Sequence, residues 1–249
     1  MRTNEACGCF PTGRHYPGIA DRLARAALTV SGLASEVAPS APWVSAPLAM
    51  IDFETTGLDP ERDRILEVGI AVAEGGVVVE RRGWLVQPGI PVPEQARAVH
   101  GITDEELARA PELEQVLPDI ERMLAGRLPC AYNAPFDRAF LHAELRRTGY
   151  TPGPVVPPAF RPEVHWIDPL VWARELQRNE RGFRLVDVCE RLGVALRTAH
   201  RAAGDAEAAL EVLLRLAPQM PRAYGELVRI QARYEALQDA DAALRGRRG

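Results

Sequence analysis

The chain has 249 residues, 47% of them hydrophobic and 26% charged, an ordinary globular composition that suits one large domain with extensions or two small ones. No apolar run approaches the ~20 residues of a membrane span, and Cys7, Cys9, Cys130 and Cys189 form no disulfide framework. Net charge is −4, every basic residue is Arg, and residues 47–217 hold 27 acids against 20 Arg; such a block argues against a non-specific polyanion binder, although bound cations could offset the excess.

Residues 1–17 are punctuated by Gly and Pro and contain no signal-peptide apolar segment, so a reduced, cytoplasmic protein is expected, with no membrane association. Cys7-Gly8-Cys9 lacks the second pair that would make it a metal site. From Ile19 to about Val37, Ile19, Leu23, Ala26, Ala27, Val30 and Leu33 recur at helical spacing, which predicts one amphipathic helix. Pro39, Pro42 and Pro47 then read as a linker. The chain thus divides into an N-terminal extension (1–46), an organised domain (47–217) and a C-terminal helical extension (218–249).

Within the domain, Leu48–Glu54, Ile65–Ala73 and Val77–Val86 read as three strands, and the Gly75-Gly76 turn favours an antiparallel meander. A proline-marked loop leads to Glu94–His100, and Thr103 with Glu106 forms a capping box for a short helix. A helix follows from Pro111 to Leu124, then a fourth strand at Leu128–Tyr132 and a helix from about Phe136 to Arg147. Residues 151–162 form a proline-rich surface loop, and Val164–Ile167 a fifth strand. Asp168-Pro169 caps the next helix, and further helices are expected at 185–192, 203–216 and 222–244. This order implies a mixed α/β fold with helices on the faces of a five-stranded sheet.

The first strand carries an anomaly. Asp52 and Glu54 stand two apart and so project from one face, roughly 6–7 Å from each other. Two such carboxylates repel, and each costs several kcal/mol to desolvate unless something pairs with it. That is a poor core and a good divalent-cation site. Asp137 follows the fourth strand in the first turn of a helix, where it either joins that site or complements the helix dipole. His200 and Asp205 would point about 140° apart on one continuous helix. They converge only if His200 precedes the helix that carries Asp205; otherwise they are a surface histidine and another N-terminal acid. Four carboxylates and an imidazole suit Mg²⁺ or Mn²⁺ rather than zinc. Asp168 is better read as a cap, His142 as a packed helix residue, and His15 and His165 receive no role.

Asp52-Phe-Glu-Thr-Thr-Gly-Leu58, Asn133-Ala-Pro-Phe-Asp137 and His200-Arg-Ala-Ala-Gly-Asp205 resemble the three motifs of the DnaQ-like 3′→5′ exonucleases. The His-x4-Asp spacing points to the DEDDh branch, and His100-Gly-Ile-Thr103 resembles a further signature of that family. The resemblance implies a ribonuclease-H-like fold. It also implies release of nucleoside 5′-monophosphates from the 3′ end of nucleic acid, preferentially single-stranded DNA, by two Mg²⁺ or Mn²⁺ ions. Carried over, Asp52, Glu54 and Asp205 hold one ion and Asp52 reaches the second. Asp137 supports that second ion, and His200 is the general base. Thr55, Thr56, Gly57 and Leu58 would seat the terminal nucleotide, Phe136 would pack on it, and Asn133 and His100 would bind the backbone or terminal hydroxyl. A proofreading subunit working with a DNA polymerase, an RNA-trimming exoribonuclease and a non-catalytic nucleic-acid-binding module are the alternatives. A homodimer through the terminal helices is a further possibility for partners.

Overall fold

The computed structural model describes residues 31–196 and 201–246. The expected helix up to residue 30, Cys7, Cys9, His15 and His200 lie outside them. The sheet has four strands, β1 (Leu48–Thr55), β2 (Ile65–Glu74), β3 (Val77–Leu85) and β4 (Leu128–Cys130), in the order β3-β2-β1-β4. β1, β2 and β3 form the antiparallel meander, and β4 runs parallel to β1. The helices are α1 (Glu94–His100), α2 (Asp104–Leu107), α3 (Leu113–Leu124), α4 (Ala134–Thr148), α5 (Pro169–Leu176), α6 (Leu185–Leu192), α7 (Ala202–Leu216) and α8 (Tyr224–Gly246). Among the described residues no helix is long and apolar enough to cross a membrane. Both bonds of the Thr103–Glu106 capping box form at the start of α2.

Strand alternation sorts the two faces of the sheet. Ala49, Ile51 and Phe53 of β1 join Val68, Ile70 and Val72 of β2 in a core closed by Leu117 and Ile120 of α3 and Phe140 and Leu141 of α4. The opposite face is covered by α7, whose Ala202, Ala206, Ala209, Leu210 and Leu213 are buried. That helix comes unusually close to the sheet. A Cβ on Gly69 would sit 2.0 Å from the Ala202 carbonyl carbon, and one on Gly83, paired with Gly69 across β2 and β3, would sit 3.2 Å from the Ala203 Cβ. Two glycines side by side therefore make a seat for the first turn of α7.

Three details differ from the sequence-based expectation. The fifth strand reduces to one parallel bridge, Cys130 to Ile167. Ile167 exchanges bonds with Pro129 and Ala131, but the Val164 and His165 N–H groups go to Arg161 and Gly32 instead, so no ladder extends. The helix expected to run to about Val37 does not extend over residues 31–37, which are turns and irregular chain, with Gly32 at φ +89 and tight against His165. The proline-rich stretch after them is packed, with Trp43 buried and its Nε1–H donating to the Pro221 carbonyl just before α8. The first half of α8 is part of the same body, for Tyr224, Leu227 and Val228 are buried and Tyr234 meets Trp172 of α5 edge-to-face at 5.4 Å.

Candidate active site

β1 outruns its parallel neighbour, since β4 pairs only as far as Met50. Beyond that point the free edge of β1 needs other partners, and the Phe53 N–H finds the Asp137 carboxylate, Oδ1 at 3.1 Å. On the other edge a register shift between Glu54 and Thr55 ends regular pairing with β2. Bulges of this kind re-aim side chains and are common beside active sites. By strand alternation Asp52, opposite Gly69, and Glu54, opposite Glu67, share the face that Gly69 presents to Ala202 at the start of α7. There Asp205, in the first turn of α7, completes a group in which Asp52, Glu54 and Asp205 each offer a carboxylate oxygen within 4.8 Å of the others.

The electrostatics show what such crowding does. The Asp52 carboxyl is held well above the usual carboxylate range, first by burial and then by the charges of Asp137, Glu54, Asp205 and Glu67. Glu54 is pushed up to about 7, mostly by burial, with Asp205 and Glu67 adding to it and Arg201 opposing it. Asp137 is raised by burial, while the N–H groups of its own residue and of Phe53 act in the other direction. Asp137 is thus close enough to perturb Asp52 but stands outside the three-acid group. These residues fit a divalent cation: the donors are hard oxygens, they converge, and their repulsion is relieved by positive charge.

The turn after β1 is locked from below. Thr56 donates its hydroxyl to Asp63 Oδ1 (3.0 Å) and accepts from the Arg64 N–H (2.9 Å), so this side chain is committed to the loop. Thr55 Oγ1 donates to the Gly57 carbonyl at 2.6 Å. A Cβ on Gly57 would collide with the Asp63 carboxylate at 2.4 Å, which accounts for the glycine. Leu58 is left projecting, 84% exposed. Asn133 is exposed, Phe136 is half-buried against Phe140 with ring centroids 4.8 Å apart, and His100 is buried with Nδ1 accepting the Ile102 N–H at 3.0 Å.

One polar residue beside the site, Glu67, was missed in the sequence, and Asp168 was read only as a helix cap. Glu67 is buried, and its carboxylate accepts from Arg201 Nε (3.0 Å) and Nη2 (3.1 Å) and from the Ala202 N–H (3.2 Å). Its signal was present as one acid inside the apolar run Ile65–Ala73. Asp168 does cap α5 through the Leu170 N–H, but it also accepts from Asn133 and Ala134 at the start of α4. Burial raises its carboxyl to about 6 against those three bonds. His142 packs, with Nε2 3.1 Å from the Ala159 carbonyl.

Comparisons with known proteins place the chain in one family. The RNase_T exonuclease family model matches residues 49–213. The PolC-type DNA polymerase III of Thermotoga maritima is 32% identical over 177 residues, 71% of this chain but 12% of that one. The DNA polymerase III subunit epsilon of Treponema pallidum is 30% identical over 165 residues, 65% of this chain and 72% of that one. This chain therefore spans about an eighth of the length of the PolC-type relatives. Among solved structures, Exonuclease X in complex with 5′ overhanging duplex DNA shares 25% identity at TM-score 0.56, covering 74% of this chain and 99% of that one. The nuclease domain of 3′hExo, a DEDDh family member bound to rAMP, has the same fold at 18% identity and TM-score 0.59, covering 72% and 95%.

Proposed function

The chain belongs to the RNase_T exonuclease family, and from that premise we propose that it is a 3′→5′ exonuclease that removes nucleoside 5′-monophosphates, preferentially from single-stranded DNA. The observation that carries the reading is the convergence of Asp52, Glu54 and Asp205 at the open end of β1. In this reading those three carboxylates would hold Mg²⁺ or Mn²⁺, with Asp137 as a supporting acid beside them. When bound, two such ions would supply an acidified water and charge stabilisation for the departing oxygen.

The side chains do the rest. His200 accepts the water proton at a ring nitrogen, a task that suits a group of near-neutral pKa. The locked Thr55–Leu58 turn presents Leu58 to the terminal base, and such apolar contact tolerates any base. Phe136 packs on the sugar or base, and Asn133 and His100 contact the backbone or terminal hydroxyl. A second reading, proofreading beside a DNA polymerase, is favoured by the PolC-type and epsilon relatives.

The test offers 3′- and 5′-labelled DNA and RNA, single- and double-stranded, with Mg²⁺ or Mn²⁺, and identifies the products. Stepwise loss of the 3′ label as nucleoside 5′-monophosphate, fastest on single-stranded DNA, is the expected result. Release of oligonucleotides, or of the 5′ label first, would refute it. Stimulation by an added polymerase subunit would favour the second reading.

A further inference from the structure

A fully bonded polar chain runs from the C-terminal helix to β1. Gln231 of α8 is 3% exposed and uses its whole amide. Its Oε1 accepts from the Asp168 N–H and from Trp172 Nε1, both at 3.0 Å, and its Nε2 donates to the Trp166 carbonyl and to Glu235 Oε1, both at 2.8 Å. Asp168, 1% exposed, passes the connection on: Oδ1 accepts from Asn133 (3.0 Å) and Leu170 (2.8 Å), and Oδ2 from Ala134 (2.9 Å).

Asn133 is the single non-glycine residue at positive φ (71°) among the described residues. Asn tolerates this conformation better than other non-glycine residues, but a fixed left-handed turn still needs neighbours that select it. Here that neighbour is the Asp168 carboxylate, which holds the N–H groups of Asn133 and Ala134 together. The turn so fixed opens α4 and sets where Asp137 lies, and Asp137 in turn takes the Phe53 N–H between Asp52 and Glu54. A buried amide flanked by Leu227 and Val228 is costly unless all its bonds form. When they do form, such a network selects one arrangement of its members.

We propose that Gln231 is a positioning residue for the active site: its bonds hold Asp168, and through Asp168 the left-handed turn at Asn133 that places the Asp137 carboxylate. Gln231 lies outside residues 49–213, so the family match does not contain it. Through Gln231 the C-terminal helix supplies one side chain to the support of the active site. This inference rests on the exonuclease reading above.

The test compares Gln231→Met, which keeps the side-chain length and removes every bond, with Val228→Ala, which loosens the same helix without touching the chain of bonds. Steady-state kinetics on a 3′-labelled single strand with Mg²⁺ are run below the melting temperature of each variant. The Ala134 amide proton shift is recorded alongside. Gln231→Met is expected to lose about 10- to 100-fold in kcat, as supporting groups behind metal sites do, with KM changed less than about 3-fold. Its Ala134 amide is expected to move, while Val228→Ala keeps kcat at a comparable loss of melting temperature. Unchanged kcat and amide shift in Gln231→Met, or losses in both variants that simply track melting temperature, would overturn the proposal. Should Gln231→Met fail to fold, Asp168→Asn puts an NH₂ against the Ala134 N–H at nearly constant shape. It is expected to show the same kcat loss, and an unchanged kcat there overturns the proposal equally. A wild-type protein without metal-dependent release would refute the exonuclease reading instead, and the Ala134 shift would then decide the relay on its own.

Discussion

Gly69→Ala probes how tightly the first turn of α7 must be held against the sheet. The new methyl would lie 2.0 Å from the Ala202 carbonyl carbon, 2.2 Å from its oxygen and 2.4 Å from the Ala203 nitrogen. Carbon atoms in contact prefer about 3.5–4.0 Å, so strand and helix must separate by roughly 1.5 Å at this point. All three obstructing atoms are backbone, and no rotamer change relieves them. Overpacking costs about 1–3 kcal/mol, and the severity here argues for the upper end, a fall in Tm of roughly 6–12 °C for a domain of this size. Asp205 lies one helical turn beyond Ala202, so the same displacement carries its carboxylate away from Asp52 and Glu54. A misplacement near 1 Å can cost about 100-fold in rate. Thermal melts together with release of a 3′ label measure both effects. Ala202→Gly should not rescue the variant, because the clash is with backbone. A Gly69→Ala protein with wild-type Tm and kcat would refute the reasoning.

Other outcomes follow from the same geometry. In the metal-free protein Glu54 is raised from 4.5 to about 7, so the folded state holds a proton that the unfolded chain releases. Stability is therefore lost as pH rises from 4.5 to 7, by an amount on the order of 2–3 kcal/mol. Mn²⁺ should restore it, so the Tm gained over EDTA should grow from pH 5 to pH 7 and then level off; an equal gain at pH 5 would contradict this. Arg201→Ala strands the buried Glu67 carboxylate and should cost roughly 1–3 kcal/mol in denaturant unfolding. Glu67→Gln should cost less, because the Arg201 side chain is 44% exposed and returns to water. The order of the two unfolding midpoints checks this. Leu58→Ala should leave stability within about 0.5 kcal/mol while slowing release of the terminal nucleotide; a changed Tm with unchanged kinetics would count against its role.

The parts of this molecule that could be read in advance are those whose physics is local. Asp52 and Glu54 announced themselves because alternation puts both on one face of an otherwise apolar strand, and Thr103 with Glu106 because a capping box is closed within four residues. Glu67 had an equally local signal, an acid flanked by apolar and small residues within β2, but its partner Arg201 stands 134 positions away. The fifth strand failed for a tertiary reason. Alternation in Val164–Ile167 promises a strand, yet the His165 N–H is claimed by the Gly32 carbonyl from the N-terminal segment. Gln231 left no mark at all. A single glutamine on a helix reads as solvent-facing, and its four bonds appear only once Trp166, Asp168, Trp172 and Glu235 are brought around it.

The most direct test of the central claim, that crowded carboxylates at the end of β1 exist to hold catalytic cations, is a paired measurement on Asp52→Asn. Removing that charge takes away repulsion from Asp137, Glu54, Asp205 and Glu67. The metal-free variant should therefore melt above the metal-free wild type, gain little from Mn²⁺, and release no 3′ label with Mg²⁺. A variant that melts lower without metal, or one that keeps releasing the 3′-terminal nucleotide at the wild-type rate, would contradict the account.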